Sequence, residues 1–159
     1  MTSAFFSYNK PKVIQALRYH FITRKEIKII MILVNVFAIV SALLFYFKKI
    51  SPFAFLVSSV LWFALMVSFW YLLPFSIYKR AQTFKDSFTA SLEDQHLFIE
   101  NERGSKVWPW KAFSGFLESP HFFHLYFDSK SFFLLPKDAF EGDAVQEARA
   151  IIKNKIKNM

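Results

Sequence analysis

Two stretches of the chain carry no charged side chain, Ile29 to Phe47 and Ile50 to Tyr78, and little more than Lys48 and Lys49 separates them. The first has 19 residues and as a helix would rise about 29 Å, close to the thickness of a bilayer's hydrocarbon core. In the second, Pro52 to Leu73 is enough for a slightly tilted crossing. The pattern predicts a transmembrane helical hairpin over 29–78, with spans at about 29–47 and 52–73. A buried hairpin in a soluble protein would show polar residues along one face of each helix, and neither run has such a face. A cleaved signal peptide is disfavoured because the first 28 residues are polar and basic and a second span comes after.

Ahead of the hairpin, residues 1–28 form a separate segment. Within 10–26, Val13, Ile14, Leu17, Phe21 and Ile22 recur at helical spacing opposite Lys12, Arg18, Arg24 and Lys25. A basic amphipathic helix of this kind either lies in the headgroup layer or packs its apolar face on the soluble domain.

Beyond the hairpin the period changes to two. Phe84, Asp86, Phe88 and Ala90 alternate with Lys85, Ser87, Thr89 and Ser91, and turn residues at 93–95, 102–105, 119–121 and 128–130 punctuate the chain from there on. Six short strands are predicted at about 84–92, 96–102, 105–108, 113–118, 122–127 and 131–135. A helix closes the chain, with Asp143 as its N-cap, Gln146 three residues on, and a stripe of Val145, Ala148, Ile152 and Ile156. The expected fold class is therefore α+β. A two-helix transmembrane hairpin precedes residues 79–159, a small antiparallel barrel or sandwich closed by a carboxyl-terminal helix, the layout of pleckstrin-homology-like domains.

Charge sharpens this division. The net charge is +8, yet residues 1–80 hold ten cations against Glu26 alone, while 81–159 hold ten against eleven acids. Cations crowded beside apolar runs point to a membrane anchor and away from nucleic acid. Six precede the first span, Lys79, Arg80 and Lys85 come after the second, and only two sit in the connector, so both termini are expected in the cytoplasm. Arg18, Arg24, Lys25, Lys28, Lys79 and Arg80 are the candidate contacts with anionic headgroups. Inside the spans Ser41 should reach the depth of Ser58, Asn35 should come within a turn of Ser68, and the indole N–H of Trp62 needs a partner. Neither span contains an ionisable residue, which argues against transport by a monomer.

Four segments together carry a family resemblance: Phe88-Thr89-Ala90-Ser91-Leu92-Glu93-Asp94, Val107-Trp108-Pro109-Trp110, Phe123-His124-Leu125-Tyr126 and Leu134-Leu135-Pro136-Lys137-Asp138-Ala139-Phe140. Preceded by a two-helix hairpin, this order resembles the YcxB-like family of bacterial membrane proteins over nearly the whole chain. The resemblance implies an inner-membrane hairpin carrying a cytoplasmic pleckstrin-homology-like domain, and it implies no activity.

Candidate chemistry is sparse. The chain has no Cys and only three Gly, so it offers no thiolate, no Cys-based zinc site and no glycine loop to cradle phosphate, and no cofactor is expected. His121 and His124 flank a strand start, where residues three apart face opposite ways, and Glu118 and Asp128 nearby read as loop acids. His20 and His96 stand alone, and Ser114-Gly115 lacks the flanking glycines of a nucleophile elbow. Trp108-Pro109-Trp110 is the most distinctive element. It reads either as a partner surface formed by both rings or as a core Trp110 beside a rim Trp108. These features favour a non-enzymatic, membrane-anchored binding module that meets a protein or lipid partner. The alternative is a subunit of a membrane oligomer or transport complex acting through the hairpin.

Overall fold

The computed structural model describes all residues, Met1–Met159. The chain divides into two units, Met1–Ala16 with Ala81–Met159, and Leu17–Arg80. The first sixteen residues thus group with the sheets, and Leu17 onward with the hairpin.

In the sheet unit, β1 (Phe6–Ser7), β2 (Ser87–Leu92), β3 (His96–Asn101) and β4 (Gly104–Pro109) form one antiparallel sheet in chain order. Alternation explains its burial: Ala90, Leu92, Leu97 and Ile99 face the core, paired Ala90 with Ile99 and Leu92 with Leu97. The turn between β3 and β4 is held by Asn101, whose side-chain oxygen accepts from the Arg103 amide at 2.9 Å, and by Gly104 at φ 144°, a conformation closed to ordinary residues. A second sheet contains β5 (Gly115–Glu118), β6 (Phe122–Tyr126) and β7 (Phe132–Pro136), and every residue of the central β6 is buried.

The expected barrel does not close. Pro109 ends β4 without an N–H to give, and a 3-10 turn over Trp110–Ala112 carries the chain into the second sheet, so β4 and β5 do not pair. β1 is an element the alternation did not reveal. The closing helix, α4, spans Ala144–Lys155 and buries Ala148 and Ile152, with Ile156 buried just beyond it. Its expected cap is absent: Asp143 already has helical angles (φ −72°, ψ −12°), whereas a capping side chain needs an extended backbone. After α4, the tail lies along β5, with the Phe116 amide donating to Lys157 O and the Met159 amide to Phe116 O, both at 3.0 Å.

Helix α1 (Lys10–Thr23) begins in the sheet unit, where Val13 and Ala16 are buried. It stops earlier than the pattern to 26 suggests, because Arg24 is extended (φ −72°, ψ 127°) and α2 (Lys25–Tyr46) starts immediately after it. The other long helix, α3 (Pro52–Arg80), is α-helical over Pro52–Val67, widens to a π turn over Ser68–Leu72 and returns to α-helix over Leu73–Arg80.

Between α2 and α3 the reversal is tight. Lys48 takes the left-handed conformation (φ 56°), its amide donates to Phe45 O and that of Lys49 donates to Leu44 O, a Schellman closure. Ser51 then caps α3, accepting from the Ala54 amide at 3.2 Å, with Pro52 in the first turn. Along the hairpin Phe45 stacks on Phe55 (4.5 Å), and Ser41 and Ser58 share a 2.6 Å hydrogen bond at the expected depth. Asn35 Oδ1 accepts from Trp62 Nε1 at 3.4 Å, the partner that the indole N–H needs, while the Ser68 hydroxyl turns back to Ala64 O. Both helices are long and apolar enough to cross a membrane, and almost none of either apolar window is buried within the chain.

Candidate functional site

The antiparallel hairpin brings the start of α2 and the end of α3 to its open end. Lys25 and Lys28 sit in the first turns of α2, and Lys79 and Arg80 in the last turn of α3, where the helix dipole favours cations. Arg24 Nε lies 3.8 Å from Glu26, a loose ion pair. Arg18 is committed more firmly. Proline at 74 has no N–H for the carbonyl of Trp70 four residues back, and Arg18 Nε donates to that carbonyl at 2.8 Å. The guanidinium then rests 5.2 Å from the Trp70 ring centroid and 5.1 Å from that of Tyr71. Of the six candidate headgroup contacts, Arg18 therefore also splints the π turn. His20, nearby on α1, is almost fully buried against Phe21, and burial, with the charge of Arg24 second, pulls its pKa down to about 4.

In the sheet unit the two tryptophans part. Trp110 is buried, its indole N–H donating to Glu93 O at 2.8 Å, so it has no surface to offer a partner. Trp108 is partly exposed and meets Phe127 and Phe133 at 5.1 and 5.2 Å. It helps line an open groove of about 350 Å³ with Phe88, Ile99 and Phe133 beneath and Arg103 and Lys106 beside it. The register sets Lys106 opposite Ile99 and Trp108 opposite Leu97, which puts both on the core-facing side of the sheet. Lys106 Nζ lies 5.4 Å from the Trp108 ring, and Arg103 pairs with Asp86 at 3.3 Å.

The carboxylate at 118 is not a loop acid. Glu118 closes β5 and receives Arg149 of α4 through Nε (3.0 Å to each oxygen) and Nη2 (2.7 Å), with Lys137 Nζ at 2.6 Å. The Arg149 bonds chiefly, and Lys137 next among the favourable contacts, hold its pKa at about 2 against the opposing effect of burial. Both cations also sit over Phe123, at 5.4 and 5.9 Å. Asp128 does lie in a turn, where its Oδ1 accepts from the Lys130 and Ser131 amides, and these bonds depress its pKa. His124 is fully buried between Tyr126 and Phe132, whereas His121 is half-buried. His96, expected to stand alone, has Nε2 3.1 Å from Glu93.

Strands β3 to β7 and most of α4 thus make one continuous stretch of chain, and that stretch is where similarity to known proteins falls. Residues 92–152 match the family model described as YcxB-like protein. This is a YcxB-like domain. The match begins at the last residue of β2 and leaves out the hairpin. No curated protein and no solved structure matches the chain.

Within the YcxB-like domain, the residues whose roles the sequence did not disclose are Glu118, Lys137, Arg149, Arg103 and Lys106. Lys106 carried a usable signal, a lysine at an inward position of an alternating strand. Arg149 carried a weaker one, since it lies next to the stripe residue Ala148 and breaks no pattern.

Proposed function

We propose that this chain is a non-enzymatic binding module held in the bacterial inner membrane by its hairpin, with its YcxB-like domain meeting a partner on the cytoplasmic side. The observation that carries this reading is the exposure of α2 and α3: Leu33, Ile39, Phe53, Val60 and Phe63 are 60–74% exposed in the isolated chain. Such a surface is stable only where something apolar covers it. At about 33 Å, α2 matches a hydrocarbon core of about 30 Å, and lipid is the cover that fits both helices along their whole length. The cations at the open end of the hairpin favour the cytoplasmic face, each gaining about 1 kcal/mol near anionic lipid. Two antiparallel sheets and a carboxyl-terminal helix are in keeping with a pleckstrin-homology-like layout for the domain. Its balance of ten cations against eleven acids favours a protein partner over an anionic headgroup.

Topology is the direct test. The chain contains no cysteine, so Lys49→Cys creates a unique label site in the connector without removing the Ser51 cap. An impermeant thiol reagent should modify it in intact cells stripped of their outer membrane. Modification only after lysis would reverse the orientation, and a chain recovered from the soluble fraction would overturn the anchor.

A second reading, assembly through the hairpin, is favoured by one feature, a mostly apolar hollow of about 400 Å³ lined by Ile22 of α1 and by Met31, Ile32, Val36 and Ile39 of α2, with Lys28 and Asn35 beside them. Crosslinks solely between copies of the chain in native membranes would support it.

A further inference from the structure

Four strands lie at sheet edges, and three of them are met by another segment of the chain. The Ala4 amide beside β1 donates to Ala139 O, the tail at Lys157 and Met159 bonds to β5, and the Tyr8 hydroxyl donates to Leu134 O of β7 at 2.8 Å. β4 is different. It pairs with β3 on one side only, and Ser105, Lys106 and Val107 are exposed, Val107 to 51%. A strand with bare backbone donors and acceptors is a template for another strand.

The groove over Trp108 runs beside this edge, so a strand added to β4 would send alternate side chains into it. The apolar floor of Phe88, Ile99, Trp108 and Phe133 suits a β-branched or aromatic residue. The adjacent cation decides the charge. Lys106 stands on the groove side with its ammonium over Trp108 and no carboxylate within 4.0 Å, whereas Arg103 is already paired with Asp86. A second copy of β4 is a poor occupant, because pairing two such edges brings lysine towards lysine.

We propose that the outer edge of β4 takes an extended, acidic segment of a partner protein as a fifth strand, with one row of its side chains in the groove and a carboxylate against Lys106. Main-chain hydrogen bonds supply the docking, and the groove with Lys106 supplies the selectivity. Pro109, which has no N–H, ends the template, so the recognised segment is short. This deepens the proposed recognition role and rests on it.

The test uses the full chain, isotopically labelled, in lipid nanodiscs. The probe is a blocked heptapeptide, Thr-Val-Thr-Glu-Thr-Val-Thr, whose valines and glutamate share one face as the groove and Lys106 do, with the lysine-for-glutamate version as its control. The expected result is saturable shifts and slowed hydrogen exchange at the amides of Ser105, Lys106 and Val107, with affinity about tenfold weaker for the lysine peptide. Lys106→Glu, an exposed edge substitution, should reverse that preference. No shift at β4 up to about 1 mM peptide, a weak limit by the affinity scale, overturns the assignment, as does equal response to both peptides. Identical shifts produced by phosphatidylglycerol vesicles alone would reassign the surface to lipid. A chain that inserts, with Lys49→Cys labelled from outside, and ignores the acidic peptide loses only the β4 site; a chain that fails to insert loses the anchor whatever β4 does.

Discussion

Arg18 and Pro74 should be energetically coupled although 56 positions separate them in the chain. Proline withholds the N–H that the Trp70 carbonyl would otherwise receive, and Arg18 Nε supplies the replacement at 2.8 Å. A hydrogen bond from a charged donor contributes about 1.5 kcal/mol at the low end of its range, appropriate because this one is open to solvent. The two ring contacts add about 0.5 kcal/mol each at exposed sites. Arg18→Leu should then destabilise the hairpin by about 2.5 kcal/mol in an otherwise native chain. In a Pro74→Ala background the amide of the new alanine can reach the carbonyl, the bond from arginine becomes redundant, and the same change should cost only about 1 kcal/mol. The coupling of about 1.5 kcal/mol is large enough to measure in a double-mutant cycle. Reversible unfolding in mixed micelles, monitored by tryptophan fluorescence, gives all four stabilities. Equal costs of Arg18→Leu in the two backgrounds, within about 0.5 kcal/mol, would refute the splint. Arg18→Lys should recover part of the loss, since an ammonium can donate to a carbonyl but lacks the planar fork.

The remaining predictions concern the hairpin interior and the domain's ion triad. Asn35→Leu leaves the Trp62 indole N–H without its acceptor and should cost about 0.6 kcal/mol in the same unfolding assay, as should Ser41→Ala for the bond to Ser58; losses several times larger would mean that these groups do more than join two helices. Glu118→Gln should destabilise the domain by about 1 kcal/mol at neutral pH, discounted for solvent screening at a carboxylate that is 26% exposed. The folded pKa of about 2 lies below the ordinary 4.5, so this stabilisation is complete above about pH 4.5 and disappears as pH falls from there to about 2. Thermal unfolding of the two proteins should converge across that window, and a difference that persists at its acid end would remove the triad as the cause.

The elements legible in the sequence are those whose signal is local. An apolar run long enough to span lipid, a lysine pair between two such runs, and alternating residues joined by short turns are each read within about twenty positions, and each is present. β1 has only two residues, too few to show alternation, and its partner Phe88 lies 82 positions beyond Phe6. The break at Arg24 involves neither Gly nor Pro, so no breaker announced it. Asp143 had the right side chain for a cap and the wrong backbone, because the turn from Gly142 already brings it into helical angles. Glu118 was misread for a related reason: at a strand end it has the same neighbours in sequence as a loop acid, and only α4, thirty-one positions later, tells the two apart.

The same logic ranks the candidate sites. A polar group whose ordinary partner is missing states a requirement that the rest of the chain must meet, and the sequence shows the requirement before it shows the solution. Pro74 inside an apolar helix is such a statement, since the freed Trp70 carbonyl needs a donor and the basic helix ahead of the hairpin is the nearest source of one. Lys106 on the inward row of β4 is another: an exposed ammonium there is met by water alone, and a strand laid over it must bring an anion, which the folded chain does not supply. The first requirement is met within the chain and yields a splint. The second is left open at the surface, which is why the edge of β4, rather than the buried Trp110 or the satisfied Glu118, is where the proposed recognition should be sought.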